Sequence, residues 1–592
     1  MDLSVSAGDL AGLVRHATLG INSLKIYRYE RGESDKFGSV DAIIGDCRTL
    51  GAAFIRLPDG ADLRWPPNLE VPVDDADIYQ ALYDESRDSL AALFDRLDGS
   101  GVKVVLTFLT LGGAANVYND SAHPDPRAEV DLNATSLLWA AGHFGNVVAD
   151  LDGNDGVTIN ETDMTWAFNT LDPRSAYKIT YVYRIARQVA QLLLDLEDEG
   201  VHVFRNIQAI AMLNELNNAD VHTMLTDGAE PWADALVAAV QGFTEVLGAE
   251  LPTLWWPAIG SSTERQPFSE IQDFLEQMIS YAQLLATSRG VDLSVLANQD
   301  YHWFHYAPFQ DARIPILTLR DDLDAIRSVF SDAGLEATVS VCETGITASV
   351  REAYADAFSS VDTQDETEME LLQAQDVWRR VATALCCGTV HVAWHTLVAE
   401  TDGSYPGTGL REDGAEITVS GDAVPRLSYW TFQRLATHTS QVDTTNLFRL
   451  IPVANRAHGR IVYPPSRRSA ASLDVSDPED MVVILHFRNC HMAAHVYVIF
   501  MDAVADRGSA AIVTIYDDSG VALVSTHQSV PSALGAPVAS AVAGEFGRRA
   551  PDSDWQSELS LYIGLPIGIT VQVGDDPILL HSDSLLSFEV TS

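Results

Sequence analysis

Two apolar runs in this chain each end abruptly on a carboxylate. "AIAMLNELNNAD", Ala209 to Asp220, turns polar at Asn214-Glu215, and "ATVSVCETGIT", Ala337 to Thr347, does so at Glu343. A pair of carboxyl groups brought to one place can cleave a glycosidic bond: one protonates the leaving oxygen while the other supports positive charge at the sugar carbon. With the two groups about 5–5.5 Å apart, the second attacks directly and configuration is retained. One glutamate where a strand meets a loop is ordinary, so the weight falls on where the two runs lie in the chain.

Short β-type runs alternate with longer amphipathic segments over residues 1–442. The runs are "HATLGINS", "GAAFIRLP", "VKVVLTFL", "IQAIAMLNE", "TLWWPAIG", "VLANQDYH", "ATVSVCE" and "TVHVAWHTL". Between them lie helical patterns such as "IYQALYDESRDSLAALFDRL" and "AYKITYVYRIARQVAQLLLDLE". Eight such units predict an α/β fold, a (β/α)8 barrel. An open doubly wound sheet fits less well, because no Gly-rich phosphate loop follows any run. Glu215 then closes the fourth strand and Glu343 the seventh, and the C-terminal strand ends of such a barrel converge on one mouth. The connection at about 112–172 is long enough to wall that mouth. Residues 443–592 change to short strands without helices, which predicts an antiparallel β-sandwich with a structural or sugar-binding accessory role.

Asn-Glu ending the fourth strand, Glu ending the seventh, an aromatic-His pair ending the sixth and Trp ending the eighth resemble the retaining glycoside hydrolases of clan A. "FIRLP" and "HYAPF" are similar to glycoside hydrolase family 5, the cellulase and mannanase family. The sequence departs from that family at "LTFLTLGG", which lacks a histidine, and at Leu216, where Pro is usual. The resemblance implies that Glu215 is the acid/base, Glu343 the nucleophile, Asn214 the holder of the sugar 2-hydroxyl, and Arg56 the cation that keeps Glu343 ionised. Tyr301 and His302 would flank the nucleophile, and Trp394 would stack on a sugar. Trp65 and Trp303, on expected mouth loops, are further subsite candidates. The implied activity is double-displacement hydrolysis of a β-linked poly- or oligosaccharide, β-1,4-glucan or mannan for preference. Exo-acting β-glycosidases of other clan A families and a silent glycan-binding barrel are the rivals.

No cofactor is required for such catalysis. His302, His305, His391, His395 and Glu343 could in principle ligate a catalytic metal, but His391 and His395 share one side of a strand and Trp394 takes the other, and the first strand carries no HxH. "DLDGNDGVTINETD" resembles a calcium loop, with Asp152, Asn154, Asn160 and Asp163 as oxygen ligands of a structural ion, although Val157 stands where the sharp turn needs Gly. Against 37 basic residues stand 83 acidic ones, a net charge of −46, and the four lysines leave the positive charge to arginine. Such a surface repels nucleic acid and anionic lipid and predicts a salt-adapted protein. Five scattered cysteines indicate neither disulfides nor zinc. With no signal peptide and no apolar run of membrane-spanning length, the chain reads as soluble: extracellular if an export signal has been removed, otherwise cytoplasmic.

Overall fold

The computed structural model describes residues 17–22, 40–57, 75–108, 181–214, 229–261, 268–304, 316–345, 373–374, 376–397, 409–411, 425–439, 456–457, 459–463, 481–489, 494–501, 511–516, 570–573, 578–582 and 587–591. Eight parallel strands form a closed barrel: β1 (Ala17–Asn22), β2 (Phe54–Leu57), β3 (Lys103–Phe108), β4 (Ile207–Met212), β5 (Leu254–Ser261), β6 (Leu296–Trp303), β7 (Thr338–Thr344) and β8 (His391–Trp394). Neighbours pair in sequence order and β8 returns to β1, with Thr18 opposite His391 and Gly20 opposite both Ala393 and Phe54. Each strand is followed by a helix: α1 (Val40–Leu50), α2 (Asp75–Leu97), α3 (Tyr181–Asp198), α4 (Glu230–Leu247), α5 (Phe268–Arg289), α6 (Thr318–Asp332), α7 (Ala382–Cys386, entered through a π turn at Val377–Val381) and α8 (Leu427–Thr439).

The strands form because their apolar residues are buried on both faces, which favours near-continuous Val, Ile, Leu and Ala runs. Alternate residues divide between two cores. Phe54, Val105, Ala209, Ala211, Trp255, Cys342 and Ala393 fill the barrel interior. Ile55, Leu106, Ile210, Trp256, Val341 and Trp394 face the ring of helices. The interior accommodates Phe54 because Gly20 leaves the space: a Cβ there would lie 2.3 Å from the ring. On α3 the buried residues Ile185, Ala186, Val189, Leu192, Leu193 and Leu196 recur at helical spacing and form one stripe against the barrel. First and last helices are joined at Asp46 of α1, which accepts from Arg411 Nε at 2.7 Å and from the Tyr429 hydroxyl of α8 at 2.9 Å.

A short strand β9 (Arg456–Ala457) adds antiparallel to the start of β1. Beyond it the chain forms one antiparallel sheet of four strands, β10 (Gly459–Tyr463), β11 (Val482–Asn489), β12 (Ala494–Met501) and β15 (Ile578–Ser582), and another of three, β13 (Ala511–Tyr516), β14 (Thr570–Val573) and β16 (Ser587–Thr591). Val483, Leu485 and Phe487 of β11 belong to the same apolar cluster as the barrel's outer core. The expected strands "VALVSTH" and "LSLYIGLP" and the long connection at 112–172 lie outside the described residues. Among the described residues no helix is long and apolar enough to cross a membrane.

Candidate active site

At the C-terminal end of the barrel a cluster of charged side chains replaces the apolar interior. Arg56 on β2 is fully buried and divides its guanidinium among three strands. Its Nη1 donates to Glu343 Oε1 on β7. Its Nη2 donates to Asn214 Oδ1 at 2.7 Å, and its Nε lies 3.3 Å from Asp300 Oδ2 on β6. His302 stands between the two carboxylates, with Nδ1 3.4 Å from Glu343 Oε2 and Nε2 3.2 Å from Asp300 Oδ2. The same Nε2 is 2.9 Å from Arg56 Nη2.

Charge decides how this cluster holds together. Burial opposes the protonated form of His302, and so does Arg56, but Glu343 and Asp300 outweigh them and lift the imidazole to about 9. Burial also works against ionised Asp300, yet His302 and Arg56, with a 2.9 Å hydrogen bond from the Cys342 amide, hold its carboxyl below the usual range. Arg56 and His302 thus face Glu343 and Asp300 within one desolvated site. Leaving any one of them unpaired there is strongly destabilising.

Two backbone irregularities aim the residues that matter. Strict alternation would turn Glu343 away from the mouth, since its neighbour Cys342 already faces the barrel interior. Between β6 and β7 the pairing runs from Asp300 opposite Ser340 to His302 opposite Glu343, so three steps on β7 match two on β6. That extra residue is a bulge, and a bulge re-aims the side chain beside it. On β4 the corresponding device is Leu213, a non-glycine residue in the left-handed region at φ 60°. Such a residue costs backbone energy and persists only where its surroundings require it. Here it ends the strand and delivers Asn214 to Arg56.

The structure brings Arg56, Asn214, His302 and Glu343 together. It places the three expected aromatics elsewhere. Tyr301 and Trp303 alternate with His302 and so point out of the barrel: the Tyr301 hydroxyl donates to Asp322 Oδ2 of α6 at 2.9 Å, and Trp303 lies under Arg380 with 5.1 Å from guanidinium carbon to ring centroid. Trp394 faces the helices as well and is fully buried. No ring face of these three is open to a sugar, which corrects the expectation for Tyr301, Trp303 and Trp394. His391 lies deeper in the interior, stacked on Trp255 at 5.1 Å, and burial lowers its pKa to about 4. Glu215, Trp65, His305 and the calcium-like residues Asp152, Asn154, Asn160 and Asp163 lie outside the described residues. Among the described residues no group of three or more His, Cys, Asp or Glu side chains is arranged to hold a metal ion.

Sequence reasoning missed Asp300, and considered His395 only as a metal ligand. The signal for Asp300 was present: a charged residue inside "LANQDYHW", two positions before His302, shares its strand face.

Fold and cluster together define a closed parallel barrel with buried carboxylates held by a guanidinium and an imidazole at its C-terminal mouth. No family model matches the chain, and no curated protein matches it. Among solved structures, a glycoside hydrolase family 5 mannosidase from Rhizomucor miehei is similar at 11% identity, with 74% of this chain and 94% of that chain covered and a TM-score of 0.38. Xylanase B from Clostridium stercorarium F9 is similar at 11% identity over 72% and 98%, with a TM-score of 0.38. A family 128 endo-β-1,3-glucanase from Amycolatopsis mediterranei is similar at 13% identity over 70% and 98%, with a TM-score of 0.31. The chemistry of this chain rests on its own mouth residues and not on those likenesses.

Proposed function

We propose that this protein is a retaining glycoside hydrolase acting on a β-linked poly- or oligosaccharide, with β-1,4-glucan or mannan preferred. The observation that carries the reading is Glu343: a carboxylate only 4% exposed at the end of β7, gripped by the same fully buried guanidinium that grips Asn214. Such a carboxylate is held and aimed, as an attacking group must be. Glu215, next in the chain after Asn214, is the acid/base in this reading. Glu343 attacks the sugar carbon while Glu215 protonates the departing oxygen, giving a glycosyl ester. Glu215 then takes a proton from water, the water attacks, and Glu343 is released. Asn214 holds the 2-hydroxyl, and Trp65 is an outer subsite.

The C-terminal sheets are read as two layers of a sandwich, supported by the rings of Tyr497 and Phe588, one from each sheet, meeting at 5.1 Å. The net charge of −46 supports adaptation to salt.

The test is reducing-sugar release from carboxymethyl cellulose, mannan and xylan, with the anomer first formed followed by proton NMR. Retained configuration, and loss of release in Glu343→Ala, are expected. Release that survives Glu343→Ala, or inverted product, refutes the proposal. Hydrolysis confined to small aryl glycosides favours the exo-acting reading, and glycan binding without cleavage favours the silent barrel.

A further inference from the structure

The side chain that reaches Glu343 from β8 is His395, just past the strand's last residue. Its position is fixed from two directions. The His395 amide donates to Thr344 O at 2.9 Å, one residue beyond Glu343, and the Leu397 amide donates to Asn22 O at 2.9 Å, tying the end of β8 to β1. On the ring, Nδ1 lies 3.1 Å from Asn22 Nδ2. So placed, the same Nδ1 is 3.8 Å from Glu343 Oε2, with both side chains almost fully buried. This approach needs Gly345, because a Cβ there would come within 2.4 Å of His395 O.

Arg56 grips Oε1. The terminal torsion of a glutamate is broad, so one held oxygen does not set the plane of the carboxylate. His302 Nδ1 lies 3.4 Å from the other oxygen, and on its far side stands His395, whose Nδ1 takes the Asn22 amide proton and meets that oxygen at 3.8 Å, in van der Waals contact and not in a hydrogen bond. We infer that His395, oriented by Asn22, is a positioning residue that fixes the plane of the Glu343 carboxylate against His302. The inference rests on the glycosidase reading.

Labelling with an activated 2-deoxy-2-fluoro glycoside, which leaves an ester on the attacking carboxylate, tests it in the full chain. Peptide mapping locates the ester and the time course gives the rate of its formation. In His395→Ala the label still falls on Glu343, but its rate constant drops roughly 10–100-fold with apparent affinity unchanged, since small misplacements cost that much. His395→Asn, which keeps an atom where Nδ1 stands that Asn22 can still hold against Glu343, recovers most of the rate, whereas His395→Gln, which places its amide further out, does not. Asn22→Ala reproduces the loss. Equal rates in His395→Ala and wild type, or equal rates in His395→Asn and His395→Gln with matching melting temperatures, overturn the inference. Labelling at another residue, or none, refutes the glycosidase reading itself and this inference with it.

Discussion

Arg56→Lys keeps the charge at the centre of the site and removes its shape. The guanidinium serves Glu343 and Asn214 through its two outer nitrogens and Asp300 through Nε. An ammonium is a point donor, and from the shorter reach of lysine it can serve one carboxylate of the two. Hydrogen bonds to charged groups contribute about 1.5–3 kcal/mol each, so losing two of them costs about 3–6 kcal/mol. Set against a total stability of roughly 5–15 kcal/mol, the variant folds but unfolds at distinctly lower urea. Arg56→Met is worse, because it leaves Asp300 and Glu343 buried together with only His302 to neutralise them.

Urea unfolding at neutral pH measures the first effect, and turnover on the best polysaccharide measures the second. Each loss of about 1.36 kcal/mol of transition-state stabilisation is about tenfold in rate, so even a modest displacement of Glu343 is visible in kcat. The double variant Arg56→Lys with Asp300→Asn removes one carboxylate that lysine cannot reach, and its loss of stability is smaller than the sum of the two single losses. Arg56→Lys within about 1 kcal/mol of wild type, with additive behaviour in the double variant, refutes the account of a guanidinium shared among three strands.

Asp322 gives a pH test. Burial pushes its carboxyl up to about 7, so between the ordinary carboxylate range and 7 the folded state holds a proton that the unfolded state has released. Stability at this site is therefore greatest in acid and falls as pH rises through 7. Asp322→Asn gains stability over wild type above pH 7, by up to about 4 kcal/mol for a displacement of roughly three pKa units, and the gain vanishes near pH 4. A gain independent of pH in paired melting curves contradicts the assignment. Gly345→Ala drives a methyl into His395 O and costs roughly 1–3 kcal/mol with a larger loss of turnover than of stability; a wild-type rate in that variant disproves the close approach. Raising KCl from about 0.1 M to about 2 M raises the melting temperature by screening the acidic surface, and a melting temperature indifferent to salt removes the case for adaptation.

The barrel was legible because eight apolar runs, each buried on both sides, cannot be mistaken for amphipathic surface strands, and helical stripes of the α3 kind separate them. The residues joined by Arg56 were legible by type: a lone arginine in "FIRLP", an amide before Glu215 and a glutamate after "VSVC" are costly to bury without partners. What sequence could not carry was direction. The bulge at Cys342–Glu343 and the left-handed Leu213 are departures from regular backbone, and no propensity announces them.

The aromatics show how much that matters. Strand alternation alone already forbids Tyr301, His302 and Trp303 from sharing a face, so admitting His302 to the site excludes its two neighbours. On β8 the same parity sets His391, Ala393 and His395 inward and Trp394 outward. An aromatic expected at the mouth is thus displaced by one residue, and one residue is the whole difference between an apolar platform and a hydrogen-bonding imidazole. The exchange changes what the end of β8 contributes. Trp394 packs the outer core and stabilises the barrel, while His395, pinned to Asn22 and to the chain beside Glu343, belongs to the machinery that aims the carboxylate. A polar group at that place is consistent with the rest of the site, in which direction is supplied by hydrogen bonds among buried charges instead of by stacked rings.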